Sequence, residues 1–218
     1  CIRDRSDVVR LTNDENWDSN SHLVVFNNKL YTFYDDATYN MLTGWWYANI
    51  VYRVYDGSTW SADVSLTDNS KVFMLSSATI YQSKLHIAYS ASSDRDDDTW
   101  GNDWEIYLKD TADGSTWSGE QRITNNNIFD STPALIVHKD LLYLFYMETT
   151  GDNPETTTDT SHINYKVYDG STWSKSCRAV DGTKPNPSNY PSVALYQNKL
   201  YLSYSKYDTN WEIYIKSS

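Results

Sequence analysis

Apolar and polar residues follow one another along this chain in short runs, and the runs fall in a fixed order. An aliphatic-aromatic stretch ending in Tyr recurs four times: Leu30–Tyr34, Leu85–Tyr89, Leu142–Tyr146 and Leu200–Tyr204. The gaps between copies are 55, 57 and 58 residues. A shorter apolar run precedes each copy: Leu23–Phe26, Ala78–Tyr81, Ala134–Val137 and Val193–Tyr196. Asn27-Asn28, Gln82-Ser83, His138–Leu141 and Gln197-Asn198 lie between the two runs, as short polar hairpin turns do. A third run comes after a variable loop, at Ile50–Tyr55, Trp104–Lys109, Ile163–Tyr168 and Trp211–Lys216. A fourth ends near Leu-Thr and covers Ala62–Thr67, Glu120–Thr124 and Ser176–Val180. Tyr, Ile, Val, Thr and Trp dominate these runs, and no segment carries a helical period. Each unit therefore reads as four short antiparallel strands.

A second repeat, independent of the first, sets the count. The pentapeptide Asp-Gly-Ser-Thr-Trp stands at Asp56–Trp60, Asp113–Trp117 and Asp169–Trp173, with spacings of 57 and 56 residues. One supersecondary unit has been duplicated, and its size and strand number are those of a propeller blade. The chain ends after a third strand. It begins with Asp7–Asn13, which matches the fourth-strand segment Gln121–Asn125. The expectation is an all-β, four-bladed β-propeller of four-stranded antiparallel blades. The N-terminal strand would pair with the C-terminal blade, Val8–Leu11 against Ile213–Lys216, and close the ring. The whole of 1–218 is then one domain. Blade 1 covers about 22–67, blade 2 about 77–124 and blade 3 about 132–180. Blade 4 covers about 190–218 plus 6–12. An open stack, or a fragment of a larger ring, is the alternative.

Composition narrows the functional classes. A net charge of −11 disfavours nucleic acid and anionic membrane as partners. No run reaches the length of a membrane-spanning helix. Nineteen Tyr and nine Trp are a large aromatic stock for one domain. The two cysteines, Cys1 and Cys177, either form one bridge or are unrelated thiols. A first residue of Cys also fits a lipid-anchored surface protein.

Two families are resembled. Ser93-Asp94-Arg95, Asp103–Leu108, Gln121–Asn126 and Asp130–Pro133 resemble TolB-like propeller repeats, and Trp211–Tyr214 repeats part of that pattern. The Asp-Gly-Ser-Thr-Trp-Ser word resembles a degenerate Asp-box of the sialidase (BNR) repeats. Gly and Trp keep that family's separation, but Asp sits one place late, and Arg53, Lys109 and Tyr165 stand where the upstream Ser would be. The resemblances imply a propeller and an extracellular or cell-surface location. A sialidase would also need three convergent arginines. Arg10, Arg122 and Arg178 instead repeat at one position of three fourth strands, so they are spread around the ring.

Other chemistry is sparse. His22, His86, His138 and His162 fall at unrelated positions without metal-ligand spacing. A glycosidase needs two carboxylates across a cleft, which sequence spacing does not reveal. Asp94, Asp96 and Asp98 alternate as calcium ligands do, although Thr99 stands where that loop has Gly, so calcium is the one cofactor considered.

The loops sort by face. The near-identical Asp-Gly-Ser-Thr-Trp turns lie on one face and read as folding elements. The connections Asp35–Ala48, Ser90–Asp103, Met147–Ser161 and Ser205–Asn210 lie on the other and differ in every unit. Candidate ligand-binding residues there are Trp45, Trp46, Trp100, Asp35, Asp36 and Glu148, together with Trp17. Aromatic rings beside carboxylates and amides suit sugar recognition. The reading is a surface or secreted, non-catalytic, lectin-like propeller that binds a glycan or other surface ligand. The alternatives are a structural or adhesive platform and, third, a glycoside-active enzyme.

Overall fold

The computed structural model describes residues 8–42, 45–93, 103–150, 160–182, 188–207 and 209–218. It is an all-β, four-bladed β-propeller, and no helix occurs among the described residues. Blade 1 is β1 (Trp17–Phe26), β2 (Lys29–Asn40), β3 (Trp45–Tyr55) and β4 (Val64–Ser65). Blade 2 is β5 (Val72–Tyr81), β6 (Lys84–Ser92), β7 (Glu105–Thr111) and β8 (Gln121–Arg122). Blade 3 is β9 (Phe129–His138), β10 (Leu141–Thr150), β11 (Thr160–Tyr168) and β12 (Cys177–Val180). Blade 4 holds β13 (Ser188–Tyr196), β14 (Lys199–Tyr207) and β15 (Trp211–Ser217). Each sheet is an antiparallel meander in chain order.

The hairpins follow from local chemistry. Asn27-Asn28, Gln82-Ser83, Lys139-Asp140 and Gln197-Asn198 all have φ between 47° and 61°. Paired left-handed residues of this kind make the two-residue turn whose twist matches that of the strands. The Asp-Gly-Ser-Thr-Trp turns are equally local. Asp56 Oδ1 accepts the N–H groups of Ser58 and Thr59, and Asp113 and Asp169 do the same for their own Ser and Thr. Trp117 reaches from blade 2 into blade 1, edge-on to Phe33, with its Nε1–H donating to the Tyr52 hydroxyl at 3.3 Å.

Neighbouring blades bury their facing strands in a continuous apolar layer. Phe33, Ile50 and Tyr52 of blade 1 pack with Leu85, Ile87 and Tyr89 of blade 2. Ile106 and Leu108 pack with Leu142 and Leu144, and Phe145 and Ile163 with Leu202. Burial of this area is what holds one blade on the next.

Three expectations differ from what is found. The ladder between Val8–Leu11 and Ile213–Lys216 is not formed: residues 8–13 carry no strand, and β15 pairs with β14 alone among the described residues. The fourth strands are shorter than the apolar pattern suggests, because the chain bends away after two to four paired residues. The first strands start earlier than their apolar runs, because each continues across a β-bulge. The register slips between Ser19 and His22, Met74 and Ser77, Ser131 and Ala134, and Asn189 and Ser192.

Candidate functional site

Each of these first-strand bulges places one non-glycine residue in the left-handed region: Asn20 (φ 52°), Leu75 (59°), Thr132 (51°) and Tyr190 (54°). Such a conformation costs an L-residue about 1–2 kcal/mol, so four equivalent instances mark a shared constraint. The bulges ring the axis at the end where the second strands finish. A cavity of about 730 Å³ opens there, and all four blades contribute to its wall. The bulge residues line it, with Trp104 and Trp211 from the starts of third strands, and Met74, Phe129 and Met147 as apolar wall. Its polar groups are amides and hydroxyls. Ser131 Oγ, Thr132 Oγ1 and Asn189 Oδ1 are buried without a hydrogen-bond partner. Leaving such a group unpaired costs about 1–3 kcal/mol, and these three atoms lie beneath the surface of the wall rather than on it. No charged side chain stands among the described residues of the lining.

Carboxylates lie just behind this wall. Asp35 is fully buried on β2. It accepts from Asn20 Nδ2 at 2.6 Å and from the Leu75 N–H through both oxygens. Burial pushes its carboxyl up to about 6, against the opposing pull of those bonds. Asp130 sits between the lining residues Phe129 and Ser131. Burial, and then the neighbouring charge of Glu105, push it up to about 8. Its Oδ2 accepts from Asn126 Nδ2 at 3.0 Å, while Oδ1 has no partner. Glu105, also fully buried, accepts from Arg122 Nη2 and the Asn126 N–H, both at 2.7 Å, and leaves Oε2 unpartnered.

The sequence-derived candidates are dispersed around this site. Asp35 supports two bulges. Asp36 is half-buried beside it and is raised chiefly by burial. Glu148 lies on β10 and pairs with Arg178 at 3.2 Å. Trp17 opens β1 and is 67% exposed. Trp45 and Trp46 begin β3, opposite Asn40 and Tyr39, and so belong to a strand rather than a loop; their side chains lie outside the described set. Trp100 and the calcium candidates Asp94, Asp96 and Asp98 also lie outside the described residues. Cys177 is an exposed free thiol, and Cys1 lies outside the described residues. Among the described residues, no group of three or more His, Cys, Asp or Glu converges as a metal would require.

Sequence reasoning passed over the four bulge residues. They share one place in the repeat, three before the equivalent apolar residues Leu23, Ala78, Leu135 and Val193, but four different residue types stand there and none marks a bulge.

No protein-family model matches the sequence, and no curated protein matches it. Solved structures do match in fold. A Trypanosoma rangeli sialidase in complex with 2,3-difluorosialic acid is 15% identical with a TM-score of 0.66, over 91% of this chain and 36% of the sialidase. A thermostable family-43 glycoside hydrolase is 15% identical with a TM-score of 0.61, over 94% of this chain and 72% of that one. An α-L-arabinofuranosidase from Lactobacillus brevis is 12% identical with a TM-score of 0.62, over 90% and 71%. The chain thus spans little more than a third of the sialidase, and likeness at this identity is likeness of fold.

Proposed function

We propose that the chain binds a neutral carbohydrate in the axial cavity. The observation that carries this reading is the composition of the wall. Tyr190 and Trp211, both exposed, supply aromatic rings for the C–H surface of a sugar, and Asn20 and Ser205 bring an amide and a hydroxyl to the same wall. The volume lies within the roughly 300–1,000 Å³ of small-molecule sites. An anionic sugar would need a cation, and the described lining supplies none. Buried Asp35 and the net charge of −11 oppose one further. The solved structures similar in fold are carbohydrate-active by name, which supports the class of ligand. An extracellular or surface location goes with this reading, and fractionation of the source cells tests it.

Tryptophan fluorescence and calorimetric titration against arabino-oligosaccharides, neutral hexose oligosaccharides and N-acetylneuraminic acid test the proposal. Saturable binding of a neutral sugar, weakened by about 1–3 kcal/mol in Trp211→Ala, is expected. Silence across a broad array of neutral glycans would sink it, and preference for sialic acid would overturn the neutral assignment.

Glycoside hydrolysis is the second reading, favoured by one observation. Asp130 stays protonated up to about pH 8 next to the cavity wall and beside Glu105, and a glycosidase needs a protonated acid paired with a second carboxylate. Release of nitrophenol from aryl glycosides, abolished by Asp130→Asn, would favour it over binding alone.

A further inference from the structure

The axial cavity has two unlike sides. β5 lies against β1 and β9, and β9 against β13, so the blades follow chain order around the axis and blade 2 faces blade 4 across it. Blade 2 brings Met74, Leu75 and Trp104 to the wall, and blade 4 brings Asn189, Tyr190, Ser205 and Trp211. Met74 and Leu75 are half-buried and form the surface on their side. Trp104 belongs to a buried apolar cluster with Phe129 and Met147 of blade 3, and Met74 packs against that cluster. Neither Met74 nor Leu75 has a polar hydrogen in its side chain, and the Leu75 N–H is taken by Asp35. A hydroxyl or carbonyl pressed onto these two residues would lose its water without gaining a partner from them, whereas a methyl group gains by leaving water.

Outside blade 2, two polar groups are set as acceptors. Asn20 of blade 1 is exposed, and its amide group donates to Ser19 Oγ at 3.3 Å and to Asp35 Oδ2 at 2.6 Å. What it brings to a ligand is its carbonyl oxygen. The bond to a buried carboxylate polarises the amide and strengthens that oxygen as an acceptor. The Ser205 hydroxyl donates to the Asn189 carbonyl at 3.2 Å, which leaves its lone pairs for a ligand. Sugar hydroxyls are donors and suit both atoms.

We infer that the cavity selects a 6-deoxy sugar, a neutral hexose whose C5 carries a methyl group in place of hydroxymethyl. The methyl group rests on Met74 and Leu75, the ring hydroxyls donate to Asn20 and Ser205, and Tyr190 and Trp211 flank the ring. An acetamido sugar also ends in a methyl group, but it would carry a carbonyl onto a surface where Met74 and Leu75 have no donor for it. The inference rests on the cavity being the sugar site proposed above.

Calorimetric titration with two matched pairs tests it. L-Fucose against L-galactose, and L-rhamnose against L-mannose, differ only in that methyl group. The 6-deoxy member is expected to bind about tenfold more tightly in at least one pair. Leu75→Asn gives blade 2 the residue that blade 1 already holds at the equivalent bulge. Asn accepts positive φ, and the backbone N–H stays available to Asp35. That variant is expected to bring the ratio close to one, with circular dichroism checking its fold. The ratio in the unmodified protein decides the matter even if the variant unfolds. Equal affinity within both pairs would overturn the inference and leave the sugar site standing. Tighter binding of N-acetyl-D-glucosamine than of either 6-deoxy sugar, or a ratio unchanged in folded Leu75→Asn, would do the same. Silence toward every neutral sugar would remove the site itself, and the inference with it.

Discussion

Asp35 of blade 1 receives the backbone N–H of Leu75 from blade 2 through both carboxylate oxygens, at 3.1 and 3.0 Å. Leu75 is a bulge residue, so its N–H has left the strand ladder and needs this acceptor. Replacing Asp35 with Ala leaves that N–H and the Asn20 amide unpaired in the interior. A loss of about 1–3 kcal/mol in urea unfolding is expected, with weaker sugar binding because Asn20 and Leu75 line the cavity. Asp35→Asn retains one acceptor and should lose less. Equal stability of wild type and Asp35→Ala would show that the clamp contributes nothing.

Asp130 predicts a pH dependence of defined sign. Its folded value of about 8 lies above the ordinary 3.8, so the folded state holds a proton that the unfolded chain has released. Stability from this group is complete below pH 3.8 and is lost as pH rises toward 8, at a slope of up to about 1.4 kcal/mol per pH unit. Asp130→Asn should flatten that decline in melting temperature between pH 5 and 8. Parallel curves for the two proteins would refute the assignment.

His162 predicts the opposite sign. Its Nδ1 accepts the Gly182 N–H at 2.9 Å, and burial, with Arg178 nearby, holds its pKa below 6.5. The contribution is complete above pH 6.5 and is lost as pH falls, because protonation removes the acceptor. Asn49 and Glu105 perform the same service for Asn69 and Asn126 in blades 1 and 2. His162→Asn should therefore keep the bond and abolish the acid-side loss in a melting series from pH 7 to 5.

The Asp-Gly-Ser-Thr-Trp turns are identical in sequence but differ in cost of substitution. Gly57 and Gly114 both have positive φ, at 104° and 82°, so alanine strains either. A methyl at Gly57 meets open space, whereas one at Gly114 runs into the buried Tyr31 ring. Gly114→Ala should therefore destabilise clearly more than Gly57→Ala in denaturant titration. Trp117→Ala, which empties the junction of blades 1 and 2, should cost about 3–5 kcal/mol and leave sugar affinity intact.

Strand order, blade count and turn type were legible in the chain because each depends on local rules. Alternating side chains define a strand, short polar pairs between apolar runs define the hairpins, and a fixed period counts the units. The role of the Asp-Gly-Ser-Thr-Trp word was legible for the same reason, since Asp bonds the N–H groups two and three residues ahead. The cavity was not legible. Its wall comes from four segments some 57 residues apart, and only the radial stacking of blades brings Asn20, Leu75, Thr132 and Tyr190 to one axis. Nothing in a leucine or a threonine announces a left-handed bulge, since neither residue favours positive φ. The second role of Asp35 was hidden likewise, since the N–H it serves belongs to the next blade. The N-terminal segment shows the same division: Arg10-Leu11-Thr12 reads as a fourth strand but carries none, because pairing depends on how far four blades close around the axis, which is set by the summed packing of every junction.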